Sequence, residues 1–198
     1  MTTPRTYHHG DLPAQLLTRA AELIARDGVE ALSLRALANE LGVSHTAPRH
    51  HFGSRQGVLT ALAVQGYRLL GERLATAADA GFDEVGAAYV QFAVDHPGHF
   101  AVMHAPDIVD GDHPALQAAK DQTSAQLLQG VRAHVAGSDQ HLAVGAIAAW
   151  SLVHGLATLA LSGALQATGL TERAGGDLHD VAVAAARVLF APSTQPPA

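Results

Sequence analysis

Thirteen histidines and no cysteine set the first chemical question. His96, His99, His104 and His113 stand close in the chain with Asp107, Asp110 and Asp112 among them, and imidazole with carboxylate is a zinc-binding set. Zinc ligands must converge on one point. Pro97, Gly98 and a loop expected at 105–113 interrupt the spacings by which a helix gathers ligands, so this stretch reads as an acidic loop with scattered histidines and no metal is expected. The absence of cysteine removes a thiol nucleophile, a disulfide framework and every thiolate metal site. Adjacent Asp83 and Glu84 at a helix start serve the helix dipole better than acid–base catalysis. The chain has no glycine-rich phosphate loop, dinucleotide fingerprint or nucleophile elbow, so neither an enzyme nor a cofactor is expected.

A second group of residues suits a different chemistry. Ser44, His45 and Thr46 are small polar side chains, suited to base edges when presented at the N-terminus of a short helix. To present them, a preceding helix must have a buried face, and a tight turn must join the two. Ser33 caps such a helix, Leu34, Leu37, Ala38 and Leu41 hold one face, and Gly42 supplies a residue that accepts positive φ. Ser44 then opens a third segment of about seven residues. Pro48 inside it is tolerable because first-turn N–H groups have no intrahelical acceptor. An ordinary helical hairpin has the same outline.

The run Leu34-Arg-Ala-Leu-Ala-Asn-Glu-Leu-Gly-Val-Ser-His-Thr-Ala-Pro-Arg-His-His-Phe-Gly-Ser-Arg-Gln-Gly-Val-Leu59 resembles the N-terminal domain of TetR-family transcriptional regulators, over about residues 7–70. The resemblance implies an all-α chain: a three-helix DNA-binding domain with a helix-turn-helix, then a larger helical ligand-binding and dimerisation domain. It implies a homodimer that leaves double-stranded operator DNA when an effector binds. Carried over by position, Ser44, His45 and Thr46 face bases, with Arg49 and His50 outward. Arg55 stands where the family usually has a phosphate-binding lysine, and a guanidinium preserves that role. Arg35 and the Ser33 hydroxyl are further phosphate contacts. Phe52 reads as core. Arg49 departs from the family's usual tyrosine, which alters the contact geometry but leaves phosphate pairing or guanine reading open to it.

Around this unit, helical periodicity dominates. Leu16, Ala20, Leu23 and Ile24 share a face after an Asp11-Leu12-Pro13 start, and Gly28 ends that helix. A fourth helix runs from Ser54 to about Ala80, and further helices are expected near 83–95, 97–104, 114–136, 140–165 and 177–190, about nine in all. Residues 88–94 are short enough for a strand but lack a hairpin partner, and read as helix. The implied organisation is a flexible arm at 1–10 carrying Arg5, His8 and His9, a DNA-binding domain at 11–55, an effector-binding and dimerisation domain at 56–190, and a disordered tail at 191–198.

The net charge of −6 argues against a nucleic-acid partner until it is divided: residues 1–70 carry +2 and residues 71–198 carry −8. Residues 142–165 contain no Asp, Glu, Lys or Arg, long enough to cross a bilayer, yet they include Ser151, His154, Thr158 and Ser162 and lack flanking basic clusters. A soluble helix without a charged face must be covered on both sides, so a second subunit is expected over Ala146, Ala149, Gly155, Ala157 and Ala160, together with Val181, Ala185 and Leu189 of the last helix. No membrane partner is expected. The start has no apolar signal region, which makes a cytoplasmic location the expectation.

Trp150-Ser-Leu-Val-His154-Gly155 resembles a Trp...His-Gly signature in one branch of TetR-type C-terminal domains. Trp150 and His154 share a helix face, as pocket lining or as simple packing. An effector pocket would also draw on Tyr89, Phe92, Phe100, Met103, His104 and Leu127. With few basic residues nearby, a multiply anionic effector is disfavoured and a neutral or weakly polar hydrophobic one is expected. Two other readings stay open: an orphan DNA-binding dimer with a filled cavity, and a helical small-molecule or metal-dependent enzyme.

Overall fold

Apolar residues recurring at three and four positions fold into helices throughout the computed structural model, which describes residues 12–135 and 137–190. Among these, eleven α-helices and two short 3-10 turns occur and no strand. The all-α expectation holds, including helix across 88–94. The arm at 1–10, the Asp11 cap and the tail at 191–198 lie outside the described residues.

α1 (Leu12–Asp27) buries Leu16, Ala20, Leu23 and Ile24. A 3-10 turn at Val29–Ala31 leads to α2 (Leu34–Leu41), where the Ser33 hydroxyl accepts from the Ala36 N–H at 3.1 Å. Gly42 adopts φ 63°, the left-handed conformation its turn requires. α3 (Ala47–Phe52) starts later than the sequence suggests. Ser44 is not its cap: the Ser44 hydroxyl sits 2.8 Å from that of Thr46 and accepts the Thr46 N–H at 3.3 Å, forming a local turn before the helix. Pro48 thereby falls in the first turn of α3, where its missing donor costs nothing.

α4 (Arg55–Ala78), begun by a Ser54 cap on the Gly57 N–H at 3.0 Å, is 24 residues long and so about 36 Å from end to end. Its first half packs Val58, Leu59 and Leu62 with Leu16, Leu23 and Leu37 in the core of the DNA-reading unit. Its second half packs Leu70 and Leu74 with Tyr89, Phe92 and Phe100. One continuous helix therefore belongs to both cores.

α5 (Phe82–Asp95), α6 (Pro97–Met103), α7 (Pro114–Arg132), α8 (Asp139–Leu161) and α11 (Leu178–Phe190) build the larger part, with short α9 (Ala164–Thr168) and α10 (Leu170–Arg173) between α8 and α11. These two are the excess over nine. Gly163 and Gly169, at φ 74° and 64°, flank α9 and break what would otherwise continue α8. The Asp83–Glu84 pair at the α5 start also holds α11: Arg187 Nε donates to Asp83 at 2.6 Å, and the His179 ring lies 3.0 Å from Glu84.

By length and composition α8 could cross a membrane. Here it packs on α5, α7 and α11. Its inward face differs from expectation: Ala146, Ala149 and Ala157 are buried in their own subunit, where Ala146 and Ala149 pack with Val131, and Ala157 with Leu70 and Phe92. Their side chains are thereby covered within the subunit itself. The outward face instead carries Val144, Ile147, Ala148, Ser151 and Leu159, beside exposed Ala184 and Val188 of α11. Gly155, Ala160, Val181 and Ala185 are half-buried at its edges. The Leu189 side chain lies outside what is described.

Candidate functional site

The candidate DNA-reading face is built by three constraints. α2 leans Leu37 and Ala38 into the core, the turn at 42–46 reverses the chain, and α3 is held against the start of α4. That last contact depends on Gly57, where any Cβ would overlap the Phe52 carbonyl, so α3 and α4 approach backbone to backbone. The result leaves Ser33, Arg35, Ser44, His45, Thr46, Arg49 and His50 all exposed. Neither Arg35 nor Arg49 has a side-chain hydrogen-bond or ion-pair partner among the described residues, which leaves both guanidinium groups available to phosphate or base.

Arg55 is placed differently. Its Nε donates to the Leu32 carbonyl at 2.8 Å and an Nη to the Val29 carbonyl at 2.7 Å, with Glu30 at 3.8 Å. The guanidinium thus turns inward onto both ends of the 3-10 turn that leads into α2. The sequence offers no periodic signal for that turn, so this role is not visible in it.

The second site is a cavity of about 260 Å³ walled by α4, α5, α7, α8 and α11, with His104 at its edge. Of the residues anticipated, Tyr89, His104, Leu127 and Trp150 line it. Phe92, Phe100 and Met103 do not: they are at most 6% exposed and fill the core behind. His154 stands behind the wall, bonded to Tyr89 and stacked on Phe100 with ring centroids 5.3 Å apart. The lining that sequence reasoning missed includes Tyr67, Leu70 and Leu74 on α4, Phe82 and Val85 on α5, and Lys120, Thr123 and Ser124 on α7. A signal for the last set existed: Lys120, Thr123, Ser124 and Leu127 recur at helical spacing on one face.

One wall is a hydrogen-bonded cluster. His104 Nδ1 lies 3.0 Å from the Phe100 carbonyl, which can only accept, so Nδ1 carries the proton. Burial holds the His104 pKa down at about 4, so at neutral pH its Nε2 is a bare acceptor. The Tyr89 hydroxyl, 3.2 Å away, then donates to Nε2 and accepts from Trp150 Nε1–H at 3.3 Å and from His154 Nδ1–H at 3.1 Å. In this assignment the Tyr89 hydroxyl, both His104 ring nitrogens and the Trp150 N–H all have partners. Burial also raises the Tyr89 pKa to about 12, keeping its proton in place.

The ligand atoms of His96, His99, His104 and His113 do not converge on one point. His99 pairs with Gln65 at 3.0 Å and His104 joins the cavity wall. Among the described residues the group with convergent ligand atoms is Asp177, His179 and Asp180, where Asp177 caps the start of α11 by accepting the His179 N–H at 2.7 Å.

An exposed helix-turn-helix joined by one long helix to a helical body with an apolar cavity defines a helical DNA-binding regulator. Residues 16–62 match the model of bacterial regulatory proteins of the tetR family, and residues 82–185 match the tetracyclin repressor-like C-terminal domain. The chain belongs to the TetR family of transcriptional regulators. A solved structure of a protein of unknown function from Rhodococcus sp. RHA1 is 32% identical, covering 94% of this chain and 97% of that one with a TM-score of 0.76. The TetR family regulator PfmR of Thermus thermophilus shares the fold at 19% identity and a TM-score of 0.68, over 91% of this chain and 99% of that one. The uncharacterised HTH-type regulator YobS of Bacillus subtilis (strain 168) is 29% identical over 90 residues, which span 43% of this chain and 47% of that protein.

Proposed function

We propose that the chain is a homodimeric, cytoplasmic repressor that binds a roughly palindromic operator and is released by a small hydrophobic effector. Each subunit reads a half-site through Ser44, His45, Thr46, Arg49 and His50, with Arg35 and Ser33 on phosphate. The two recognition helices then enter successive major grooves roughly 34 Å apart. The dimer forms over the exposed apolar face of α8 and α11.

The observation that carries this reading is the pair of struts between cavity and DNA-reading unit. α4 lines the cavity with Tyr67, Leu70 and Leu74, and its first residue, Arg55, holds the turn into α2. α6 is the second strut. The Tyr67 hydroxyl donates to the Met103 carbonyl at its end at 3.1 Å, and Gly98 at its start meets α1 so closely that a Cβ would overlap the Ala21 carbonyl. A ligand that fits the cavity in only one arrangement of these helices shifts the spacing of the reading heads, by as much as its affinities for the two arrangements differ.

The test is retention of the gene's own upstream DNA across a salt series. Sequence-selective binding lost on His45→Ala supports the reading. Arg49→Ala lowers the salt dependence by about one counterion if it holds phosphate, and relaxes one position of the operator if it reads guanine. No retained DNA at any salt, with turnover of a small molecule, overturns it in favour of an enzyme.

A further inference from the structure

The cavity wall contains one charged side chain, and it is the only lysine in the chain, Lys120. Lys120 is half-buried and has no ion-pair partner among the described residues. Asp121 beside it is exposed and outside the wall. Thr123 and Ser124 stand one turn along α7 on the same face, and Leu127 one turn further. The Thr123 hydroxyl donates to the Ala119 carbonyl at 3.0 Å, which leaves its oxygen able to accept only a second donor, whereas Ser124 can donate outward. The other lining residues are mostly apolar, and the Tyr89–His104–Trp150 cluster is internally satisfied and uncharged. Lys120 and Ser124 therefore stand along one wall of a mostly apolar space.

We propose that the effector is an amphipathic monoanion, a carboxylate on an apolar chain or ring, whose charge is matched by Lys120 with help from Ser124. The proposal rests on the cavity being the effector site and specifies its ligand. A phosphate monoester carries close to two charges at neutral pH, and one ammonium would leave the second uncompensated in an apolar setting. A neutral ligand would leave the ammonium unpaired as it is desolvated. The volume of about 260 Å³ suits roughly nine non-hydrogen atoms at about 30 Å³ for each water-sized group.

Octanoate and octanamide have this size and differ chiefly in charge, and Trp150, the only tryptophan, lines the cavity and reports occupancy by its fluorescence. Octanoate is expected to bind the full-length protein about tenfold more tightly than octanamide, equivalent to about 1.4 kcal/mol. Lys120→Met and Lys120→Gln should bring the two within about twofold, and Lys120→Arg should keep the preference. Equal binding of both probes to the native protein, a preference that survives Lys120→Met, or no saturable binding of octanoate at about 1 mM overturns the proposal. DNA retention measured in the same solutions separates the two readings. Octanoate that binds through Lys120 without releasing DNA sinks effector release and leaves the anion site. Octanamide that binds equally and releases DNA does the reverse.

Discussion

Arg55, the first residue of α4, donates from Nε to the backbone carbonyl of Leu32 at 2.8 Å, across 23 positions of sequence. A cation that the family pattern assigns to DNA phosphate here ties the start of α4 to the turn that precedes α2. Half-buried charge-assisted hydrogen bonds of this kind stabilise by about 1.5–3 kcal/mol each, with partial exposure favouring the lower end. Arg55→Ala should therefore lower the thermal midpoint and weaken DNA binding together. Arg55→Lys should restore little, since an ammonium cannot span two carbonyls as the planar guanidinium does. Calorimetric melts beside DNA titrations check this; lost DNA affinity with an unchanged melt would return Arg55 to the phosphate backbone.

Tyr89 is the hub of the cavity wall. Its hydroxyl satisfies His104 while accepting from Trp150 and His154. Tyr89→Phe keeps the ring but leaves one acceptor and two donors without their partner, each costing about 1–3 kcal/mol unless water enters. The expected outcome is a loss of stability with a shift in Trp150 emission as its indole N–H is freed. An unchanged midpoint together with unchanged emission would show that the cluster is not formed in solution.

What could be read in advance follows from which forces are local. The Ser33 cap, the Gly42 turn and the apolar faces of α1, α2 and α4 depend on neighbours within a few residues, and all were legible. The face of α8 was not. Ala146 and Ile147 are adjacent in sequence, yet the first is buried and the second exposed, because the directions of α5, α7 and α11 decide which side of a uniformly apolar helix is covered. The cavity shows the same limit: Phe92 and Leu127 are both apolar, and only long-range packing sends one to the core and the other to the wall. The signal of Lys120 was diluted because composition counts charges without placing them.

Acid should destabilise the fold before any carboxylate is involved. Burial holds His99 and His104 down at about 4 from the ordinary 6.5. Above 6.5 the rings are neutral folded and unfolded and contribute no pH dependence. Between about 6.5 and about 4 the unfolded rings take up protons that the folded ones refuse, so stability falls as the pH drops. The slope is at most about 1.4 kcal/mol per pH unit for each ring, less where water screens it. Below about 4 these two add no further loss. Urea midpoints at pH 7.5, 5.5 and 4.5 should decline steadily, and the decline should flatten in the His99→Gln, His104→Gln double variant. A flat profile in the native protein would contradict buried neutral rings.

Ile147 is 62% exposed in the single subunit, Val144 60% and Val188 81%, on an outward face that also lacks charge along most of α8. Burying an isoleucine side chain is worth about 1.5–3 kcal/mol, and a two-fold axis counts each residue twice. Ile147→Glu should therefore raise the dimer dissociation constant by about two to four orders of magnitude, with each subunit remaining folded. Ala149→Glu, on the opposite side of α8 and only 5% exposed, places its charge in the subunit's own core and should unfold the chain. Sedimentation equilibrium with circular dichroism distinguishes the two. A dimer that withstands Ile147→Glu would move the interface off this face. If Ile147→Glu yields folded monomers, the same preparation should hold operator DNA only weakly, because one reading head loses the effective concentration that the second supplies.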